Sequence, residues 1–235
     1  LGHDEQGIHS MYERKPKGYF AGSNPHILKK IRITASTVLE VGCAQGNLGA
    51  AIRARGAEVS GIELFPAAAE KAKDKLNHVL CGDIEALSLP YEKNYFDYIV
   101  FGDVLEHLKD PWAVLRKVKP FLKSNGVILA CIPNVGHISI LMGLLQGNWT
   151  YTKSGLLDQT HFRFFTLKEI FRLFQSQGYE IEEVEKLALI PPGTKGLIDA
   201  LNDIQIRFKL DYPELKQELS TFHYVVTARP TEEAD

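Results

Sequence analysis

The chain has no apolar stretch approaching the roughly twenty residues that a bilayer-spanning helix needs. Its best run, Ile138 to Leu145, is broken by Ser139 and Gly143 and reads as a buried helix or a cleft lid, so no membrane insertion is expected. Cysteine is scarce. Cys43, Cys81 and Cys131 stand far apart without the Cys-x-x-Cys spacing of a zinc site, each in or beside an apolar strand-like run. Reduced, buried thiols are the expectation, which points to the cytoplasm. No signal peptide is expected from residues 1–20, which are polar and charged. Neither sign of charge dominates: 27 Lys and Arg face 29 Asp and Glu, a formal charge of −2. That balance lacks the basic footprint of an extended nucleic-acid binder.

What remains is the composition of an ordinary globular protein, 235 residues with 45% apolar content, enough for one sizeable core. A single elaborated domain over residues 25–229 is expected, preceded by a mobile arm at 1–24 and followed by an acidic tail at 230–235.

Apolar runs at 37–41, 58–64, 78–81, 96–101 and 127–132 alternate with helical patterns at 25–33, 48–55, 66–76 and 110–122. Pro66 and Pro111 stand where first helical positions belong, and Asp110 is placed as an N-cap. Strands that read as continuous apolar runs imply a parallel sheet covered on both faces. Right-handed crossovers then make an α/β, doubly wound fold. After the fifth strand the pattern changes to a long aromatic segment, 133–165, then a helix at 167–177 and a strand at 179–184. A second, partly helical insertion at 188–220 precedes a closing strand at 222–228. Insertions of this length in a compact domain usually serve as lids or binding loops.

The first strand-to-helix turn reads Val38-Leu-Glu-Val-Gly-Cys-Ala-Gln-Gly46. Its glycines permit a tight turn and a close backbone approach to a ligand. The dinucleotide fingerprint wants glycine at the first, third and sixth positions of such a turn. Counted from Gly42 these are Gly42, Ala44 and Asn47, and the pattern fails at two of them. Glu40, two residues upstream, would repel a pyrophosphate and suits a ligand bearing an ammonium or hydroxyls. A nicotinamide oxidoreductase is therefore disfavoured.

At Glu40-x-Gly42-x-Ala44-x-Gly46 the sequence resembles motif I of the class I S-adenosylmethionine-dependent methyltransferases, with Ala44 replacing the usual middle glycine. The resemblance runs over roughly residues 19–187 and is closest to the branch acting on polysaccharides and small metabolites. It implies a Rossmann-like, mostly parallel seven-stranded sheet with an antiparallel last strand and helical insertions after strands 5 and 6. It also implies S-adenosylmethionine as cofactor. Glu40, Gly42, Cys43, Ala44 and Gly46 would form the turn beneath its amino-acid part, and Glu63 would accept both ribose hydroxyls. Asp83 would receive the adenine amino group, and Leu64 and Ile84 would sandwich the ring. Phe101, Gly102 and Asp103, in a fourth-strand motif that runs on to Leu105-Glu-His-x-x-Asp-Pro111, would line the methionine portion. Tyr19 stands where the family often supplies an aromatic residue over the cofactor.

Pro133-Asn134…His137 and Gly155-Leu-Leu-Asp-Gln-Thr-His161-Phe-Arg163 resemble the acceptor side of that branch. A hydroxyl acceptor must lose a proton, and histidine has the right pKa range to take it. His137 and His161 are the candidate bases, with Asp158 as orienter; the alternative is that Asp158, His161 and Arg163 only fix the lid. Transfer of a methyl group to a small-molecule hydroxyl is the expected reaction. Two other readings stay open. Asp103-x-x-Glu106-His107, completed by His137, resembles the metal set of certain quinone and small-RNA O-methyltransferases, and a divalent ion there would lower the acceptor's pKa. Alternatively the chain binds the adenosyl compound without turnover. Sugar, phenol and small acid all remain candidates for the acceptor, and the oligomeric state is left open.

Overall fold

The computed structural model describes residues 11, 12, 15, 16 and 18–231. Seven strands form one sheet: β1 Thr37–Val41, β2 Glu58–Glu63, β3 His78–Cys81, β4 Phe96–Gly102, β5 Leu122–Pro133, β6 Tyr179–Ala188 and β7 Thr221–Pro230. Their order is β3-β2-β1-β4-β5-β7-β6, parallel through β5, with β7 antiparallel to both β5 and β6. The doubly wound expectation and the antiparallel last strand are both realised. Reversal of strand order between β1 and β4 opens a crevice at the carboxyl ends, where such sheets bind ligands.

Among the described residues α-helices accompany the sheet at α1 Pro25–Lys30, α2 Asn47–Arg53, α3 Pro66–Lys73, α4 Pro111–Val118, α5 Ile138–Leu145, α6 Leu167–Ser176, α7 Lys195–Arg207 and α8 Leu215–Ser220. Pro25, Pro66 and Pro111 each occupy a first helical position, where the missing N–H costs nothing. Asn24 and Asp110 cap their helices through side-chain oxygens. Two apolar clusters cover the sheet, one centred on Phe101, Leu115 and Phe174, the other on Ile27, Ile52 and Val100. A third small cluster, Ile138, Ile198 and Leu219, joins α5, α7 and α8, so both insertions pack on one another.

Element ends and one cysteine differ from the sequence pattern, and β5 begins at Leu122 where the pattern starts at 127. The helix expected to reach Leu122 stops at Val118, because Pro120 has no N–H to donate and forces a 3-10 turn over Lys119–Phe121. Strand β6 runs four residues past Val184 through Glu-Lys-Leu-Ala, whose charges suit an edge strand rather than a buried one. Cys81 is exposed, against the expectation of buried thiols, because β3 is the other edge; Cys43 and Cys131 are buried. Residues 1–10, 13, 14, 17 and 232–235, parts of the expected arm and tail, lie outside the described residues. Of the described arm residues, Lys15 bonds Asp158 and Thr160 of the insertion, and Tyr12 and Tyr19 meet His107. Among the described residues no helix is long and apolar enough to cross a membrane.

Candidate active site

The carboxyl ends of β1 to β4 open into a cavity of about 940 Å³, which extends under Tyr12 and Tyr19 towards β5 and β7. Seven carboxylates and one lysine, Lys109, line it among the described residues. So acidic a wall, with no arginine and no second lysine, repels phosphates and suits a cation.

The glycine turn is held from below. Gly42 and Cys43 donate their N–H groups to the Ile62 carbonyl at 2.8 and 3.0 Å. Gly42, Ala44 and Gly46 all have positive φ, at 71°, 49° and 74°. A Cβ on Gly42 would sit 2.5 Å from Val104 Cγ2, so only glycine lets this turn meet the loop after β4. Gly46 serves differently: it lies outside the cavity wall, and a Cβ there would press on Ala72 and Leu76, so it sets the packing of α2 on α3. Ala44 holds a left-handed conformation despite its side chain, a strain on the order of 1–2 kcal/mol.

Glu40 and Glu63 approach this turn from β1 and β2. The Ala44 N–H donates to Glu63 Oε2 at 2.7 Å, and the Phe65 N–H to Oε1 at 2.9 Å. Each oxygen keeps a second lone pair for a ligand hydroxyl. Burial raises the Glu63 carboxyl above its ordinary value, and the Phe65, Ala44 and Leu64 amides act against it. Glu40 is buried with Oε2 unpartnered. Burial, against a hydrogen bond from Gly49 and reinforced by Glu63, pushes its carboxyl up to about 8. A buried carboxyl on a cavity wall, with one oxygen unpartnered, suits a cationic donor group.

Asp83 follows β3, with Oδ1 accepting the Glu85 N–H at 2.8 Å, and Leu64 and Ile84 flank it on the cavity wall. Gly102 and Asp103 line the same wall, whereas Phe101 is wholly buried in the core beneath. Asp103 adopts φ 57°, which turns the chain out of β4, and its N–H reaches the Cys131 carbonyl at 3.2 Å.

The acceptor-side expectations divide. His161 lines the cavity; Nδ1 meets the Leu156 carbonyl at 3.2 Å, so Nδ1 carries the proton and Nε2 is the basic nitrogen. Burial lowers its pKa. Asp158 does not orient it. Its carboxylate forms a buried ion pair with Lys15 and accepts from Thr160, which fastens the arm to the lid. His137 is wholly buried and lies off the cavity wall. It caps α5, with Nδ1 at Ser139 and Nε2 2.7 Å from the Leu189 carbonyl. A base needs access to substrate, and His137 has none; its task is to join the two insertions.

His107, a candidate metal ligand, has its nitrogens occupied: Nδ1 by the Thr160 carbonyl and Tyr12 hydroxyl, both at 3.0 Å, and Nε2 by Tyr19 at 3.4 Å. Burial, then the neighbouring His161, pushes its pKa down to about 3. Glu106, His107 and His161 bring three possible ligand atoms within 4.8 Å of one another, and Glu106 Oε2 is unpartnered. Asp103 and His137 are not in that cluster, so the donor set expected from sequence changes to one containing His161.

Tyr12, Lys15 and His223 are site residues that the sequence pattern did not single out. Tyr12 packs on Phe65 at 4.3 Å between ring centroids, and the Lys15 ammonium lies over the Tyr19 ring. His223 enters from β7 with Nε2 3.5 Å from Asp103 Oδ1.

Comparison with known proteins bears on the fold and the family. Two ubiquinone biosynthesis O-methyltransferases are similar, one from Nitrosospira multiformis (24% identical over 173 residues, 71% of this chain and 72% of that protein). The other, from Idiomarina loihiensis, is 27% identical over 180 residues, 73% of this chain and 72% of its own. A solved S-adenosylmethionine-dependent methyltransferase from Archaeoglobus fulgidus shares the fold, with TM-score 0.63, 17% identity, and coverage of 94% of this chain and 99% of that one. A Methanosarcina mazei methyltransferase structure gives TM-score 0.59 at 15% identity, covering 89% and 99%. The family model described as methyltransferase domain matches residues 13–184, well over half the chain, and this protein therefore belongs to the class I S-adenosylmethionine-dependent methyltransferases.

Proposed function

We propose that the chain transfers a methyl group to the hydroxyl of a neutral small molecule. The observation that carries this reading is the acidic cavity itself, whose glycine turn and orphaned Glu40 oxygen suit a cation-bearing adenosyl compound. When bound, S-adenosylmethionine supplies a methyl group already activated by the positive sulfonium. Glu40 takes the ammonium, Glu63 the ribose hydroxyls and Asp83 the adenine amino group. Leu64 and Ile84 cover the purine faces, and Gly42 and Gly102 leave backbone room for the methionine portion.

The remaining half of the cavity, towards the lid, β5 and β7, holds the acceptor. Tyr12 and Tyr19 exclude water over it, which strengthens alignment of the acceptor oxygen for in-line attack. His161 Nε2 receives the hydroxyl proton, its tautomer fixed by the Leu156 carbonyl. A lowered pKa keeps that nitrogen unprotonated at neutral pH. Relatives named ubiquinone biosynthesis O-methyltransferases make a phenolic hydroxyl the first acceptor class to try.

Calorimetry with S-adenosylmethionine and S-adenosylhomocysteine tests the donor reading, and NAD(P)H serves as the competing ligand. Absence of binding by both adenosyl compounds overturns it. His161→Ala should lower turnover about 10²- to 10⁴-fold, as removal of a general base does, with affinity for the homocysteine compound unchanged. Equal loss of both makes His161 structural.

A second reading is favoured by the Glu106, His107 and His161 cluster, which offers an oxygen and two imidazoles to a divalent ion. Nδ1 of His107 donates to the Thr160 carbonyl, so binding there uses Nε2 and requires His107 to give up the hydrogen bond from Tyr19. Loss of turnover with a chelator, restored by Mg²⁺ or Zn²⁺, supports this reading; indifference removes it.

A further inference from the structure

Beyond the glycine turn the cavity wall brings together an acid and a histidine, Asp103 and His223, that neither the donor contacts nor the proton acceptor uses. Asp103 leaves β4 at φ 57° with its side chain 46% exposed, and His223 faces it from β7 with its side chain 27% exposed. Nε2 and Oδ1 are 3.5 Å apart, beyond a good hydrogen bond but well within ion-pair reach. Both residues line the cavity.

Their place relative to the donor follows from packing. Val104 touches the glycine turn so closely that Gly42 has no room for a Cβ, so Asp103 stands next to the methionine end of the proposed donor site. His223 pairs in register with Pro133 of β5 and Leu187 of β6, two residues without charge. Among the described residues, the titratable groups that interact with it are Asp103 from the end of β4 and His137 and His161 from the first insertion, while Cys131 of β5 meets Asp103. Burial holds the Cys131 thiol above its ordinary range, and burial holds both other histidines below theirs. Of these groups Asp103 is the one whose charge raises the His223 pKa; burial raises the Asp103 carboxyl in turn, and His223 and Cys131 act against that.

We propose that Asp103 and His223 form a proton-controlled counter-charge that distinguishes the cationic methyl donor from its neutral-sulfur product. With His223 neutral, the Asp103 carboxylate faces the sulfonium without a competing cation and favours the donor. Protonated His223 cancels that carboxylate and adds a positive charge to the same wall, which repels the sulfonium. S-adenosylhomocysteine has the same ammonium, carboxylate and adenosine but no sulfonium, so it loses little. The effect therefore tips the exchange of product for fresh donor towards donor at neutral pH and towards retained product in acid. For unit charges roughly 10 Å apart at an effective dielectric of about 20, the differential is on the order of ten- to twentyfold in affinity. Burial lowers the His223 pKa from its ordinary 6.5 and Asp103 raises it, with burial the larger, so the change falls below pH 6.5.

This inference rests on the donor reading above, and calorimetry separates their failures. Wild-type protein is titrated with each adenosyl compound from pH 7.5 through pH 5.0 to the lowest pH at which circular dichroism shows the fold intact. The expected result is a roughly tenfold or greater loss of affinity for S-adenosylmethionine and a much smaller loss for S-adenosylhomocysteine. His223→Gln should bind both with the selectivity of the wild type at pH 7.5 and keep it at pH 5.0. A readout in the unmutated protein covers the case where that variant does not fold. The His223 ring proton signal should titrate at lower pH with S-adenosylmethionine bound than with S-adenosylhomocysteine bound. Parallel losses for the two ligands, selectivity loss persisting in His223→Gln, or identical ring titrations overturn the inference. Failure of both ligands to bind at any pH would instead remove the donor reading itself.

Discussion

Cofactor binding at pH 7.0 should expel most of a proton from Glu40. In the unliganded cavity burial, reinforced by Glu63 and opposed by a hydrogen bond from Gly49, holds this carboxyl at about 8. At pH 7 a group with that pKa is about 0.9 protonated, and pairing with a ligand ammonium requires the ionised form. Binding therefore releases about 0.9 proton. Ionising Glu40 at pH 7 costs about 1.4 kcal/mol, a tenfold reduction of affinity relative to a carboxylate already charged. The assay is calorimetry with S-adenosylhomocysteine at pH 7.0 in phosphate and in Tris, whose ionisation enthalpies differ widely; the difference in observed heat counts the protons. The ligand's own ammonium is still largely charged at this pH, since free α-amino groups titrate near 7.7–8.0. Glu40→Gln should bind more weakly and release close to none. A wild-type release below about 0.3 proton, or the same release from Glu40→Gln, would refute the reasoning. This titration acts equally on both adenosyl compounds, which separates it from the His223 effect.

Other consequences follow from packing and charge. Gly42→Ala combines left-handed strain with a Cβ 2.5 Å from Val104 Cγ2, and should cost about 2–5 kcal/mol in denaturant unfolding. Adding Val104→Ala should recover the contact portion and leave the strain; full recovery, or none, contradicts this division. Asp158→Asn leaves the Lys15 ammonium, 1% exposed, without its charge partner, and should undock the arm, seen as faster amide exchange at Tyr19–Ala21 with the β-sheet core unchanged. For Asp158 burial works upward, but the Lys15 and Thr160 bonds outweigh it and hold the carboxyl below 3.8. The folded pKa is depressed, so this stabilisation is fully present above pH 3.8 and is lost only as pH falls through the lower folded value. Protection of the arm that disappears between pH 7 and pH 5 would show that another group fastens it.

The order of elements was legible because it depends on local chemistry. Apolar runs of four to seven residues, prolines at first helical positions and a capping Asp110 are written within a turn or two of the element they define. Glu40, Gly42 and Glu63 could be named for the same reason: each ends a strand or opens a turn at a spacing the chemistry of the ligand requires. The end of β6 was not legible, since Glu185 and Lys186 suit an exposed loop as well as an exposed edge. Pro120 was in plain view, yet its effect depends on whether the helix needs that turn, which packing decides.

The far half of the cavity shows where local information ends. By sequence, His137 and His161 were equal candidates, each beside aromatic and polar residues in a segment without period. Folding buries His137 between Ser139 and the Leu189 carbonyl, 52 residues away, and gives His161 the cavity. Tyr12 and Lys15 belong to a polar arm with no apolar face, yet Lys15 finds Asp158 at a separation of 143 residues. His223 meets Asp103 only because β7 inserts antiparallel between β5 and β6. The sequence by itself determined the sheet, its glycine turn and the acidic strand ends, since these arise from short-range backbone and burial rules. Only the tertiary structure decided which histidine can reach a substrate and which carboxylate meets which cation, because those pairings join residues whose separation along the chain has no bearing on their distance in space.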